Sequence, residues 1–176
     1  QKMSQLIDDL LSLPRLSSHE LERQRIDLGQ ISADILSRFQ QNDPARQLEI
    51  DIASDLQTNA DPKLVTLALE KLLENAWKYT ASMAVARIEV ASERMDDEQV
   101  FRVTDNGVGF DMALAGKLFN AFQRLHRPEE YEGRGLGLIT AERVIQRHGG
   151  RIWAESAIGH GATFHFTLSP TKGTGI

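Results

Sequence analysis

The period of the apolar residues changes several times along the chain, and each change marks an element. Met3, Leu6, Leu10 and Leu13 recur at alternating spacings of three and four, with Ile7 and Leu11 widening the stripe. This spacing predicts one helix of a bundle or coiled-coil seam. So short a seam is not stable alone, which places its partners upstream of Gln1 or in a second copy of the chain. Pro14 kinks or ends that helix, and Ser17-Ser18 followed by the charged run from Glu20 to Arg25 reads as a solvated connector. A boundary is drawn near Arg25.

Leu28, Ile31, Ile35, Leu36 and Phe39 return to helical spacing behind Asp27, a suitable N-cap. Leu48, Ile50 and Ile52 alternate as a strand. Asp61-Pro62 is a cap followed by proline at the first helical position, and it opens a long helix to about Thr80. Residues 87–92 and 99–104 alternate as two strands joined by the acidic turn at Asp96-Asp97-Glu98. A helix-like stretch then reaches Phe122, and a polar segment runs from Arg124 to Gly133. A helix from about Leu138 to His148 stops at Gly149-Gly150, and strands 151–155 and 163–168 flank a turn at Gly159-His160-Gly161. The expected fold class is α+β: a two-layer α/β sandwich with a mixed, mostly antiparallel sheet and helices on one face.

Composition narrows the function. The 176 residues are 41% hydrophobic and 26% charged, enough for one ordinary core, and carry a net charge of -5 with Lys and Arg scattered. That argues against nucleic acid or a membrane surface as partner, so a polyanionic ligand has to be small and locally held. The absence of cysteine excludes disulfides, thiolate metal centres and a cysteine nucleophile. With no signal-peptide pattern and no apolar run of about 20 residues, the chain is expected to be a cytoplasmic piece of something longer.

Three constellations carry chemistry. Lys71, Asn75 and Lys78 stand at i, i+4 and i+7, on one helix face. An Asn carboxamide oxygen is a hard ligand suited to Mg²⁺, and Lys is a mobile charge for a phosphate; a solvated amphipathic face is the plainer alternative. Asp105-Asn106-Gly107-Val108-Gly109 follows a strand with glycines that admit a ligand closely and a carboxylate able to accept from an amino group, or it is a hairpin turn. Gly133-Arg134-Gly135-Leu136-Gly137 opens a helix, as phosphate-binding loops do, or is a loop-to-helix junction. It matches neither the dinucleotide nor the P-loop glycine pattern.

Order and combination decide between these alternatives. Residues 72–80 (Leu72-Leu73-Glu74-Asn75-Ala76-Trp77-Lys78-Tyr79-Thr80) resemble the N box of sensor histidine kinases, in the superfamily of gyrase, Hsp90, histidine kinases and MutL. Asp105 to Gly109 resembles the first glycine box of that family, Leu118-Phe119-Asn120-Ala121-Phe122 its F box, Gly133 to Leu138 its second glycine box, and Gly159 to Phe164 its last. The resemblance spans about Ile26 to Leu168. The wording of 122–127 and 149–155 is most similar to phytochrome-like and PAS-linked kinases.

The resemblance implies the histidine kinase-like ATPase fold and a division into three parts. Residues 1–25 are the end of a dimerisation and phosphoacceptor bundle with its connector, 26–170 the ATP-binding catalytic domain, and 171–176 a disordered tail. It implies ATP and Mg²⁺ as cofactors and a catalytic set of Asn75, Lys78 and Arg124, with Asn75 on the metal and Lys78 and Arg124 on phosphates. Tyr79 lines the adenine pocket and Asp105 reads the adenine amino group, while Gly107, Gly109, Leu136 and Thr163 complete the nucleotide contacts. Gly133, Gly135 and Gly137 let the segment from Arg124 act as a lid. Implied partners are a phosphoacceptor helix of the same or a partner chain, a response regulator, and a second copy in a full-length homodimer.

Two departures bear on this: Lys71 in the N box, and Arg134 in place of the common Thr of the second glycine box, its guanidinium read as pointing to solvent. Lys71 stands where histidine kinases usually carry Asn and the wider superfamily a Glu base, so base-assisted hydrolysis is not expected; a nucleotide-sensing module without transfer is the alternative. Ser18-His19-Glu20-Leu21 imitates the start of a phosphoacceptor box but lacks the basic residue and proline that follow in the family. His19 is therefore read as connector, with the acceptor upstream of Gln1.

Overall fold

A computed structural model describes residues 20–120 and 135–168. A short ribbon comes first: β1 (Gln24–Asp27) pairs antiparallel with β3 (Gln57–Ala60). Between them lie helix α1 (Leu28–Asn42) and strand β2 (Leu48–Ile52). Helix α2 (Pro62–Tyr79) is followed by the hairpin β4 (Ala86–Met95) and β5 (Glu98–Asp105), and then by a 3-10 helix at Met112–Lys117. Helix α3 (Gly137–Arg147) and strands β6 (Ile152–Ser156) and β7 (Ala162–Thr167) complete the described chain. Five strands form one sheet in the order β2-β4-β5-β7-β6. β2 runs parallel to β4 and the other pairs are antiparallel, as expected for the mixed sandwich.

Local chemistry starts the helices where expected. The Asp27 carboxylate accepts from the Gly29 and Gln30 amides at 2.8 and 3.3 Å, and Asp61 accepts from Lys63 and Leu64 at 3.0 and 3.2 Å. Such caps satisfy amide donors that have no partner inside the helix. Leu69, Leu72 and Leu73 of α2 are fully buried against Ile88, Val90, Phe101, Val103, Phe164 and Phe166, with Val144 and Ile145 of α3 in the same core. Each such side chain is worth about 1.5–3 kcal/mol of burial. The other sheet face is polar: Glu89 pairs with Arg102 at 2.7 Å, and His165 stacks on Trp153 at 5.2 Å and meets Glu155 at 3.3 Å.

β1 spans Arg25, where the boundary is drawn, with residues 24–27 paired to 57–60 in the ribbon. Two expectations change. The helix-like stretch after Gly109 is, among the described residues, the 3-10 helix Met112–Lys117, which buries no residue. The β4–β5 strands run longer than expected and turn on Asp96 and Asp97, both with positive φ. The seam at Met3–Leu13, His19, the tail, and Arg124 to Gly133 lie outside the described residues.

Candidate functional site

The last turns of α2 carry Asn75, Lys78 and Tyr79, half-buried on a helix whose opposite side is Leu69, Leu72, Leu73 and Ala76 in the core. The Lys78 ammonium lies 4.4 Å from the centre of the Tyr79 ring. Behind them Arg46 stacks on Trp77 at 4.0 Å and donates to the Thr80 hydroxyl at 2.6 Å, which secures the C-terminal end of the helix.

The loop after β5 is pressed onto this helix end. Val108 N–H donates to the Tyr79 carbonyl at 3.1 Å, and a β-carbon on Gly107 would meet that oxygen at 2.4 Å. Gly109 has φ +64°, and a β-carbon there would meet the Ala157 carbonyl at 2.1 Å. Gly159 N–H donates to the Val108 carbonyl at 2.8 Å, so the turn between β6 and β7 locks the same loop from its other side. Asn106 bridges Arg87 N–H at 2.8 Å and the Val85 carbonyl at 3.0 Å.

Asp105 sits at the base of this cradle, 7% exposed. Its carboxylate accepts from Gly107 N–H at 2.8 Å. Burial raises its pKa from 3.8 to about 6, against the lowering effect of backbone hydrogen bonds from Gly107 and Ala162. A buried carboxylate with so few donors still has lone pairs to offer to a ligand's amino group.

Across the helix layer, Gly137 opens α3 beside the Lys71 stem: a β-carbon there would lie 3.8 Å from the Lys71 Cδ. Leu136, 5% exposed, occupies the N-cap position without a side-chain hydrogen bond to the helix, and Gly135 has φ +72°. Among the described residues no N-cap side chain takes the first amides of α3, and a helix N-terminus of this kind suits an anion. Lys71 pairs with Glu74 at 3.3 Å, which offsets its charge beside Asn75.

Asn75, Lys78, Tyr79, Asp105, Gly107 and Gly109 are thus joined by the docking of the β5 loop on α2, and Gly135, Leu136 and Gly137 border the same helix at Lys71. Thr163 is not brought there. Its hydroxyl meets that of Thr104 at 3.0 Å, and both alternate with core-facing neighbours, so they lie on the polar sheet face. Ala162 takes its place beside Asp105, in register with it. That assignment was available from the alternation of Ala162, Phe164 and Phe166. Arg124 and Gly133 lie outside the described residues.

These residues fit an adenine nucleotide: an acceptor in a cradle that tolerates no β-carbon, cations on one flank and the N-terminus of α3 on another. No group of three His, Cys, Asp or Glu suited to a metal occurs among the described residues. Asn75 with nucleotide phosphates and water remains a sufficient Mg²⁺ environment, because Mg²⁺ keeps several waters and few protein ligands.

Residues 60–172 match the model of the histidine kinase-, DNA gyrase B- and HSP90-like ATPase. The chain belongs to this ATPase family. Sensory and histidine kinases are among its relatives, each matched over a part of its length. Cyanobacterial phytochrome A of Nostoc sp. is 33% identical over 166 residues, 94% of this chain and 22% of the relative. Adaptive-response sensory kinase SasA of Synechococcus sp. is 34% identical over 173 residues, 96% of this chain and 46% of the relative. The chain therefore spans less than half the length of these relatives. The ATPase fold is shared with the mycobacterial sensor histidine kinase MprB at TM-score 0.68 and 23% identity, covering 83% of this chain and 96% of that one. Full-length ShkA, solved in complex with AMPPNP, gives TM-score 0.77 at 23% identity, covering 97% of this chain and 37% of that one. No helix among the described residues is long and apolar enough to cross a membrane.

Proposed function

We propose that this domain binds Mg²⁺-ATP and transfers its γ-phosphoryl group to a histidine on an upstream bundle helix. The observation that carries the reading is Asp105, a buried carboxylate held at the floor of the glycine cradle beside Tyr79 and Lys78. Asp105 accepts from the adenine amino group and Tyr79 lines the base. Lys78, with Arg124, neutralises phosphate charge, and the amides at Gly135 to Gly137 donate to the phosphate oxygens. Asn75 would hold Mg²⁺, which would supply charge neutralisation at the nucleotide phosphates. An imidazole nitrogen lone pair attacks the γ-phosphorus, the bond to the bridging oxygen breaks toward ADP, and the imidazole N–H proton leaves to solvent. The domain itself needs no nucleophile, since phosphoryl transfer depends on positioning and charge.

In the whole protein we infer a homodimer in the cytoplasm that passes the phosphoryl group to an aspartate of a response regulator. The solved histidine kinase ThkA, in complex with its response regulator TrrA, shares the fold at TM-score 0.72. Incubation of the longer chain with γ-labelled ATP tests the reading. A label that is acid-labile and base-stable is expected, and an acid-stable label overturns it. A nucleotide-sensing module without transfer is the second reading, motivated by Lys71 beside Asn75. The Lys71–Glu74 ion pair counts against it.

A further inference from the structure

The opposite end of the helix layer from the nucleotide site holds a cluster of buried polar groups that the proposed chemistry does not use. Asp61 and His148 are 7% and 1% exposed. His148 Nε2 accepts from the Asp61 backbone N–H at 3.1 Å, while its Nδ1 lies 2.7 Å from the Val144 carbonyl. A carbonyl only accepts, so the proton sits on Nδ1 and the ring is neutral. Asp61 caps α2 through one carboxylate oxygen and through the other accepts from Glu22 N–H at 3.0 Å. The Arg23 guanidinium donates to the His148 carbonyl at 2.9 Å and to the Asn59 carbonyl at 3.2 Å. Residues 22 and 23 thereby tie the start of α2 and the end of α3 to the strand that enters the domain.

Both helices run from this cluster toward the pocket. α2 has 18 residues, about 27 Å at 1.5 Å per residue, and its far end carries Asn75, Lys78 and Tyr79. α3 begins at Gly137, against Lys71 of α2, and ends at Arg147, with His148 as its C-cap. A packed helix moves as a rod, because close packing transmits displacement and does not absorb it.

We propose that Arg23 and the backbone of Glu22 form a positioning latch, through which displacement of the segment entering β1 shifts α2 and α3 and so changes the nucleotide pocket at their far ends. The proposal rests on that pocket taking adenine nucleotide. Arg25, two residues on, is a natural control: it is exposed and bonds the Gln57 side chain, through Nε at 3.0 Å and a second, shorter contact from its Nη2.

Two readouts on Arg23→Ala, Arg23→Lys and Arg25→Ala test the latch. The first is amide exchange at Asp61 in the latch and at Thr140, whose N–H bonds the Leu136 carbonyl at 3.1 Å at the pocket end of α3. The second is the affinity for a non-hydrolysable ATP analogue by calorimetry. In Arg23→Ala both amides should exchange faster and affinity should fall about threefold to tenfold, the range of long-range coupling mutations. Arg23→Lys, which keeps the charge and reaches one carbonyl, should lie between, and Arg25→Ala should match the wild type. Faster exchange at Asp61 alone, with Thr140 and affinity unchanged, overturns the latch and leaves a local anchor. Were the wild type to bind no analogue, the pocket reading would fail, and the Thr140 exchange would still decide the latch.

Discussion

A β-carbon on Gly107 would lie 2.4 Å from the Tyr79 carbonyl oxygen, closer than real side chains come. The end of α2 and the loop after β5 are one surface, and Val108 N–H bonded to the same oxygen holds them together. Gly107→Ala has to lift the loop and carry Asp105 with it. A loss of about 1–3 kcal/mol in stability is expected from overpacking, together with a fall in ATP affinity of at least about tenfold. Gly116→Ala, where nothing lies within 4 Å of the new carbon, should change neither. Thermal denaturation and calorimetry of both variants measure this.

Asn75→Ala should weaken Mg²⁺-dependent ATP binding far more than metal-free ADP binding, because a half-buried carboxamide on the side of α2 away from the core matters through the ion it holds. Calorimetry with and without EDTA separates the two. Equal losses in both conditions would make Asn75 part of the scaffold.

Asp105→Asn should act on the base and not on the phosphates. An amide keeps one acceptor oxygen but adds a donor that clashes with an amino group. Discrimination between ATP and GTP should narrow, with triphosphate affinity falling less than selectivity. Unchanged selectivity in competition assays, with collapsed affinity, would remove Asp105 from the base pocket.

The site was legible where one residue type has one physical use. Asp61-Pro62 opened α2 as expected, and the glycines at 107 and 109 stand where backbone meets backbone. Thr163 comes from the resemblance to the last glycine box, and a motif match does not say which face of a strand its residues take: in β7 Ala162 pairs with Asp105 while Thr163 pairs with Thr104 on the polar face. The ribbon of β1 and β3 was not legible at all. Gln24–Asp27 and Gln57–Ala60 hold only two apolar residues, the half-buried Ile26 and the buried Ala60, too few to set a period of two. Nor does any sequence pattern reveal that Glu22 and Arg23 reach Asp61 and His148, because these contacts join residues far apart in the chain.

The β4–β5 hairpin stores a small strain. Asp96 and Asp97 have φ of +48° and +67°, the signature of a type I′ turn, in which glycine is favoured at the second position. Asp97→Gly should stabilise the domain by about 0.5–1 kcal/mol, since it relieves a left-handed non-glycine residue. The melting temperature reads it, and nucleotide affinity should stay constant.

Two buried groups set opposite pH responses over one window. Asp105, raised to about 6, holds a proton in the folded state that the unfolded chain has released above 3.8. Its contribution, on the order of 3 kcal/mol, is fully present below 3.8 and lost as pH rises through about 6. His148 is held below the usual 6.5 by burial first and by Arg23 and Arg147, against the Val144 hydrogen bond and the Asp61 carboxylate. Its contribution is present above 6.5 and lost as pH falls, because the unfolded imidazole takes the proton first. Acidification from about pH 7 to about pH 5 therefore loads one group and strains the other. Asp105→Asn should make stability fall more steeply with acid than in the wild type, and His148→Gln, which keeps an acceptor for the Asp61 amide, should make it fall less or rise. Denaturant titrations across that range decide the matter: variants that keep the wild-type slope would show that neither group titrates as its surroundings dictate.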